Sequence, residues 1–341
     1  MTAATAATLA PSPPALAHPT LPRWLLLPAL AVLLALLGAC TSLPLGLRGP
    51  PSTALPPQDD SPLVRAAQAS SPDPALSGFR LLPLGSYSLD ARLQLIERAR
   101  HSLDLQYYVL DNDATGRLLL GRLADAAARG VRVRLLVDDL YTTHSEPLLS
   151  ALAALPGVQV RLFNPFMVAR GSGLAGRFAA NLLQARRLNH RMHNKLLVAD
   201  GAMAVAGGRN IADDYFQRGT QHNFVDLDAL IVGPVVTDLS ASFDRYWNSP
   251  VVLPIEAVTS GRPPAAEQQA AFHAATTEAR NTALALPAAD ALGYGPIGDE
   301  LQAGRMGLIW GRALALDDPP DKMVRDADQA WADSLAYQAL M

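Results

Sequence analysis

The sequence predicts an α/β domain: a central mixed, largely parallel sheet flanked by helices. Three observations carry this. Helical and strand periodicities alternate three times between residues 88 and 163. A glycine, Gly130, closes the second helical stretch just before the strand-like run VRVRLLV. Further on, Asp200-Gly201 separates two short apolar runs, a favoured hairpin turn.

The elements follow in order. Order begins near Phe79. Residues 88–100 carry Leu89, Leu93 and Ile96 at helical spacing, with Ser88 as the expected N-cap. LDLQYYVL, 103–110, reads as a strand. Residues 115–129 form a second amphipathic helix. Residues 131–137 form a strand with alternating arginines that Asp138 and Asp139 close. A helix over 146–155 and a strand over 158–163 follow. Residues 164–192, irregular and Arg-rich, read as an extended loop with a short helix. Runs 195–199 and 203–206 make the hairpin, and 224–232 alternates like a strand. Pro234 opens a helix to Trp247. Residues 254–300 are Ala-rich and helical with breaks at proline, and 308–316 offers one more strand.

Length bounds the organisation: 341 residues allow a signal region plus one large domain or two modest ones. A net charge of −3 argues against a general nucleic-acid binder. The charge is uneven, with nine Arg or Lys against three acids between 161 and 218. This stretch is either a surface for phosphate or anionic membrane, or a solvated basic face. Of 28 basic residues only Lys195 and Lys322 are lysine. A compact ammonium suits a tight phosphate pocket where a planar guanidinium does not.

The single cysteine, Cys40, excludes an intrachain disulfide. It ends an apolar run from Trp24, and Leu37-Gly38-Ala39-Cys40 resembles a bacterial lipobox. The resemblance implies a signal peptide over 1–39, cleavage, and acylation of Cys40. An uncleaved membrane span is the rival, although the run is short and Pro28 interrupts it. Residues 40–78, rich in Pro, Ser and Ala, read as a flexible tether.

The chemistry concentrates in His193-Asn194-Lys195, then Asp200, then Gly207-Gly208-Arg209-Asn210. On a strand, His193 and Lys195 point to one face. A neutral imidazole there can attack phosphorus, and the ammonium can hold phosphoryl oxygens. Gly207 and Gly208 let backbone approach closely, and Asn210 offers an amide donor. No Cys cluster or second-carboxylate arrangement suggests a metal, and no cofactor is expected. Asp200 either joins the chemistry or only forms the turn. His190, Gln106, Tyr107 and Tyr108 are weaker candidates, and core packing explains the last three about as well. Asp138 and Asp139 either line a ligand site or cap the next segment. Tyr246 and Trp247 read as core.

The spacing H-x-K, four residues, D, six residues, G-G-x-N resembles the phospholipase D superfamily signature. The resemblance extends to cardiolipin-synthase-like members through SLDLQYYVLDNDATGRLLL, RGVRVRLLVDDL, RRLNHRMHNK, GGRNIADDYF and DLDALIVGPVV. It implies the fold of that family, a sandwich around a central sheet, with a catalytic half-domain over 79–250. It implies His193 as the residue that becomes phosphohistidine, with Lys195, Gly207, Gly208 and Asn210 around the phosphate. Gly208 stands where Ser is commoner, one hydroxyl fewer. The implied substrate is a membrane phospholipid, with an alcohol or water as acceptor. A phosphodiesterase acting on nucleic acid, or an inactive phosphate-binding half-domain, are the alternatives. The family pairs two such motifs, and this chain carries one. Residues 251–341 therefore read as an inter-half segment that stops before a second motif, supplied either by a missing C-terminal half or by a homodimer partner. The expected location is the bacterial cell envelope, lipid-anchored and facing the periplasm.

Overall fold

The computed structural model describes residues 45–181, 185–259, 265–281 and 284–320. The signal and lipobox readings, Cys40 included, lie outside the described residues. The first long element is helix α1 (Pro62–Ser70), capped by Ser61, whose hydroxyl accepts from the Leu63 and Val64 amides. Strand β1 (Ser77–Leu82) leads to α2 (Gly85–Arg98). Next come β2 (Ser102–Tyr107), α3 (Ala114–Ala128), β3 (Arg132–Asp138), α4 (Glu146–Ala153) and β4 (Val158–Phe163). Two short helices, α5 (Leu174–Ala180) and α6 (Ala185–Leu188), precede the hairpin β5 (Leu196–Ala199) and β6 (Met203–Gly207). Strand β7 (Asp228–Val232), α7 (Val235–Trp247) and β8 (Val252–Pro254) follow. Helices α8 (Ile255–Val258), α9 (Ala266–Arg280) and α10 (Ile297–Ala303) then lead to β9 (Ile309–Gly311).

The nine strands form one sheet in the order β8-β4-β3-β2-β5-β6-β7-β1-β9. Alternation along each strand divides the core in two. Leu103, Leu105 and Tyr107 of β2 face the cluster shared with α2, α3, α4 and α9. Leu136, Leu196, Val198, Ala204 and Ile231 face the other, beneath Phe243, Tyr246 and Trp247 of α7. Helices on both faces make the expected sandwich, and Tyr246 and Trp247 are core.

The sheet is mixed as expected, but it is not largely parallel. Only β2-β3 and β3-β4 pair parallel; the other six pairings are antiparallel. The alternating helices and strands before residue 163 build the parallel third. Hairpin connections after 195 and the return of β1 to the far side build the rest.

Two boundaries also move. The reading of 40–78 as a tether does not hold from about residue 50 onward. This Pro- and Ser-rich stretch lacks periodicity, yet its backbone is held by side chains from the domain. Arg161 donates to Pro50 O at 2.5 Å and Arg134 to Ser52 O at 3.0 Å. Asp244 accepts from the Ala54 amide at 2.8 Å. Nor are the described residues after 250 separate from the half-domain, since β8 and β9 supply both edges of its sheet. Finally, Ser88 is no N-cap. It lies within α2, buried, with its hydroxyl bonded to Asp228 and Arg92.

Candidate active site

The site forms where the parallel part of the sheet meets the antiparallel part. The C-terminal end of β2 and the N-terminal end of β5 meet there, Gln106 pairing with Leu196. Just beyond that pair, Tyr108 leaves β2 and His193 and Lys195 enter β5. The His193 ring is exposed and packs on the Tyr108 ring, centroids 4.1 Å apart and planes tilted by 33°. Lys195 Nζ stands 5.4 Å from the centre of the same ring and donates to the carbonyl oxygen of His193 at 2.5 Å. Tyr141 meets Tyr108 edge-on, ring centroids 5.5 Å apart. Burial lowers the His193 pKa from 6.5, and the Lys195 ammonium lowers it further. The imidazole is therefore neutral at pH 7, the form that can act as a nucleophile. Burial also lowers the Lys195 pKa, opposed by the charge of Asp226.

The return strand brings the glycines to the same end. Gly208 N donates to Leu227 O at 3.1 Å, pressing this backbone against the start of β7. A Cβ on Gly207 would overlap Leu227 O and Asp228; one on Gly208 would overlap the Asp226 carboxylate. Asn210 is buried, accepting from Val109 N at 3.0 Å and donating to the Tyr215 hydroxyl at 3.0 Å. That bond uses one of its two amide hydrogens. Below, Arg92 reaches Asp228 at 3.0 Å and the Tyr107 hydroxyl at 2.9 Å, and Asp228 accepts from Arg209 N at 3.2 Å. This buried pairing fixes the turn after β6.

Asp200 is not in the site, which corrects its inclusion among the catalytic residues. It lies at the opposite end of β5, in the left-handed region with φ 51°. Gly201 follows at φ 62°, and Ala202 N donates to Ala199 O at 3.0 Å; the hairpin turn that the sequence predicts is of type I′. The Asp200 carboxylate is buried and accepts from the amides of Arg100, His101 and Ser102 at 2.8–2.9 Å. Those bonds tie the hairpin to the start of β2. Gln106 and Tyr107 are buried in the sheet. His190 contacts Pro320 O at 3.2 Å.

The cations between 161 and 218 whose side chains are described are neither a phosphate surface nor a solvated face in the main. Arg161 lies over the Trp247 ring and bonds Trp247 O. Arg170 pairs with Asp139 and Glu146, and Arg191 with Asp138. Arg209 donates to Leu82 O and Pro83 O. These guanidiniums brace loops from within, whereas Lys195 stands at the site. Sequence reasoning missed Tyr141 and Asp226, for which the chain offers no local signal. Their relevance comes from pairing β2 with β5 and from the approach of β7 to the glycine turn.

Residues 93–247 match the family described as cardiolipin synthase, PLD-like domain. Cardiolipin synthase C of Escherichia coli strain K12 is 39% identical over 251 residues, 71% of this chain and 50% of that protein. A cardiolipin synthase of Staphylococcus aureus is 30% identical over 167 residues, 48% of this chain and 31% of that protein. Among solved structures, phosphatidylserine synthase of Haemophilus influenzae Rd KW20 superposes with a TM-score of 0.41 at 15% identity. That match covers 64% of this chain and 48% of the other. The fold and the site together define a phospholipase D-like domain. Residues 93–247 form a domain of the phospholipase D superfamily, and the chain is similar to its cardiolipin-synthase-like members. It spans half the length of the Escherichia coli relative and less than a third of the Staphylococcus aureus one.

Proposed function

We propose that this domain supplies one phosphate-binding and nucleophilic half of a phosphatidyltransferase acting on membrane phospholipid. The observation that carries the proposal is the exposed His193 held against Tyr108 with Lys195 beside it. His193 attacks phosphorus, a P–N bond forms, and the P–O bond to the leaving alcohol breaks. Lys195 holds the phosphoryl oxygens as charge builds on them. An alcohol or water then attacks the phosphohistidine, the P–N bond breaks, and the imidazole is regenerated. Two phosphatidylglycerols would give cardiolipin and glycerol; water would give phosphatidic acid.

The leaving alkoxide needs a proton while His193 is occupied as nucleophile. Among the described residues there is one His-x-Lys pair. A second site, from another segment or another copy, would supply that acid, so this chain by itself is expected to turn over poorly. The anchor belongs to the same proposal: acylated Cys40 would hold the domain on the surface that carries its substrate, in the cell envelope. No helix among the described residues is long and apolar enough to cross a membrane.

The test is incubation of the purified full chain with labelled phosphatidylglycerol, with and without EDTA. Phosphatidyl transfer, or a phosphohistidine at His193 in the absence of transfer, supports the reading, and EDTA should not alter either. Labelling of another residue, or loss with EDTA that zinc or magnesium restores, contradicts it. Mass spectrometry of the mature N-terminus in a bacterial host decides the anchor: an intact Met1 with unmodified Cys40 refutes it.

A further inference from the structure

His193 stands on backbone that no ladder holds. β5 begins at Leu196, and residues 190–195 belong to no helix or strand. An imidazole that must meet phosphorus in line needs its position fixed to a fraction of an ångström. The constraint comes from another strand. Asp138 closes β3 with its carboxylate wholly buried. Oδ2 accepts from the amide of Met192 at 2.8 Å. Oδ1 accepts from Leu140 N at 2.9 Å and Arg191 Nη1 at 3.1 Å. Arg191 in turn donates to Leu188 O at 2.7 Å and lies over the Phe166 ring. The Met192 side chain is sunk in the core beneath α7. The residue before His193 is thus held by its amide and by its side chain, and the residue before that by an ion pair.

We infer that Asp138 is a positioning residue for His193, setting through the Met192 amide how the imidazole meets the Tyr108 ring and hence its line of attack. It need touch neither substrate nor imidazole. The inference rests on His193 as the nucleophile. The position demands a carboxylate: two amides and a guanidinium converge on it, and all are donors. An asparagine would turn an NH₂ toward one of them. Asp139 cannot substitute, because it faces the other way, accepting from Phe166 N at 2.8 Å and pairing with Arg170. The two consecutive acids thus serve two different loops.

The test uses the full chain with ¹³C-labelled histidine. A ring proton over the face of Tyr108 is shifted upfield, so the His193 signal reports its seating; His193→Ala assigns that signal. In Asp138→Asn the upfield shift should collapse toward the position of a histidine ring in solvent, with the His101 and His273 signals unmoved. Phosphohistidine formation should slow about tenfold or more, a loss typical of misplaced reacting groups. An unmoved His193 signal in the folded variant overturns the inference, whatever the activity. A second measurement covers a variant that fails to fold. In the unaltered protein the Met192 amide, outside any ladder, should resist hydrogen exchange as the β5 amide of Leu197 does. Exchange at the rate of an open loop also overturns it. If His193→Ala retains full activity, the nucleophile reading fails on its own, and the seating result stands or falls separately.

Discussion

Ser61 donates its hydroxyl to Asp200 at 2.6 Å, joining the segment before α1 to the β5–β6 turn across 139 positions of chain. Both residues are buried. Asp200→Ala would leave three backbone amides and one hydroxyl without their acceptor, at a cost of about 3 kcal/mol. The expected outcome is a lower denaturation midpoint with unchanged reactivity per folded molecule, because the carboxylate lies at the far end of β5 from His193. Urea unfolding and phosphohistidine labelling measured together check both halves. A stable but unreactive Asp200→Ala would return Asp200 to the chemistry.

His193→Ala should abolish labelling, and Lys195→Ala should reduce it by about 10²–10³, as loss of a charged transition-state contact does. Lys195→Arg should fail as well, since a planar fork cannot take the place of a point charge beside Tyr108. Neither His193→Ala nor Lys195→Ala removes a core contact, so each should change stability by less than about 0.5 kcal/mol. Single-turnover labelling alongside urea unfolding separates the two effects.

The acid limb of reactivity should lie below pH 6.5, because burial and Lys195 both depress the His193 pKa. Between the depressed value and 6.5 the unfolded chain binds the extra proton and the folded one does not. Stability therefore rises with pH across that window, and this contribution is lost as pH falls through the folded-state pKa. Lys195→Ala removes one of the two causes, so the His193 pKa should rise. An NMR titration of the histidine ring carbons reads the shift directly, and an unchanged or lower value contradicts it.

Gly207→Ala and Gly208→Ala should differ sharply. At Gly207 the added methyl meets Leu227 backbone, which cannot move without breaking the β6–β7 pairing. About 2 kcal/mol or more should be lost there. At Gly208 it meets the Asp226 carboxylate, the end of a side chain that can swing aside. The cost there should stay below about 1 kcal/mol. Thermal unfolding of the two variants gives the comparison, and equal losses would refute the distinction.

Much of this was legible in the chain because the signals were local. The Asp200-Gly201 turn, the helix-ending Gly130 and the His193 to Asn210 spacing each sit within a few residues of what they specify. Legibility stopped where a residue's partner lay across the sheet. Arg134 read only as one of two alternating arginines on a strand, yet it is buried between Asp104 and the Phe243 and Trp247 rings. Ser88 looked like a cap because nothing nearby announced Asp228, 140 positions on. The antiparallel majority of the sheet was hidden for the same reason, since β1 comes first in sequence but pairs between β7 and β9.

The scarcity of lysine makes the site chemically addressable. Lys195 is the single lysine among the described residues; the other, Lys322, lies outside them. Its lowered pKa leaves more free amine at neutral pH than an ordinary lysine has. A mild reductive-methylating reagent at limiting concentration should therefore tag this position ahead of Lys322. An isotopic methyl placed there by reductive methylation keeps the ammonium charge and would watch the site fill and empty in real time, without a single engineered residue.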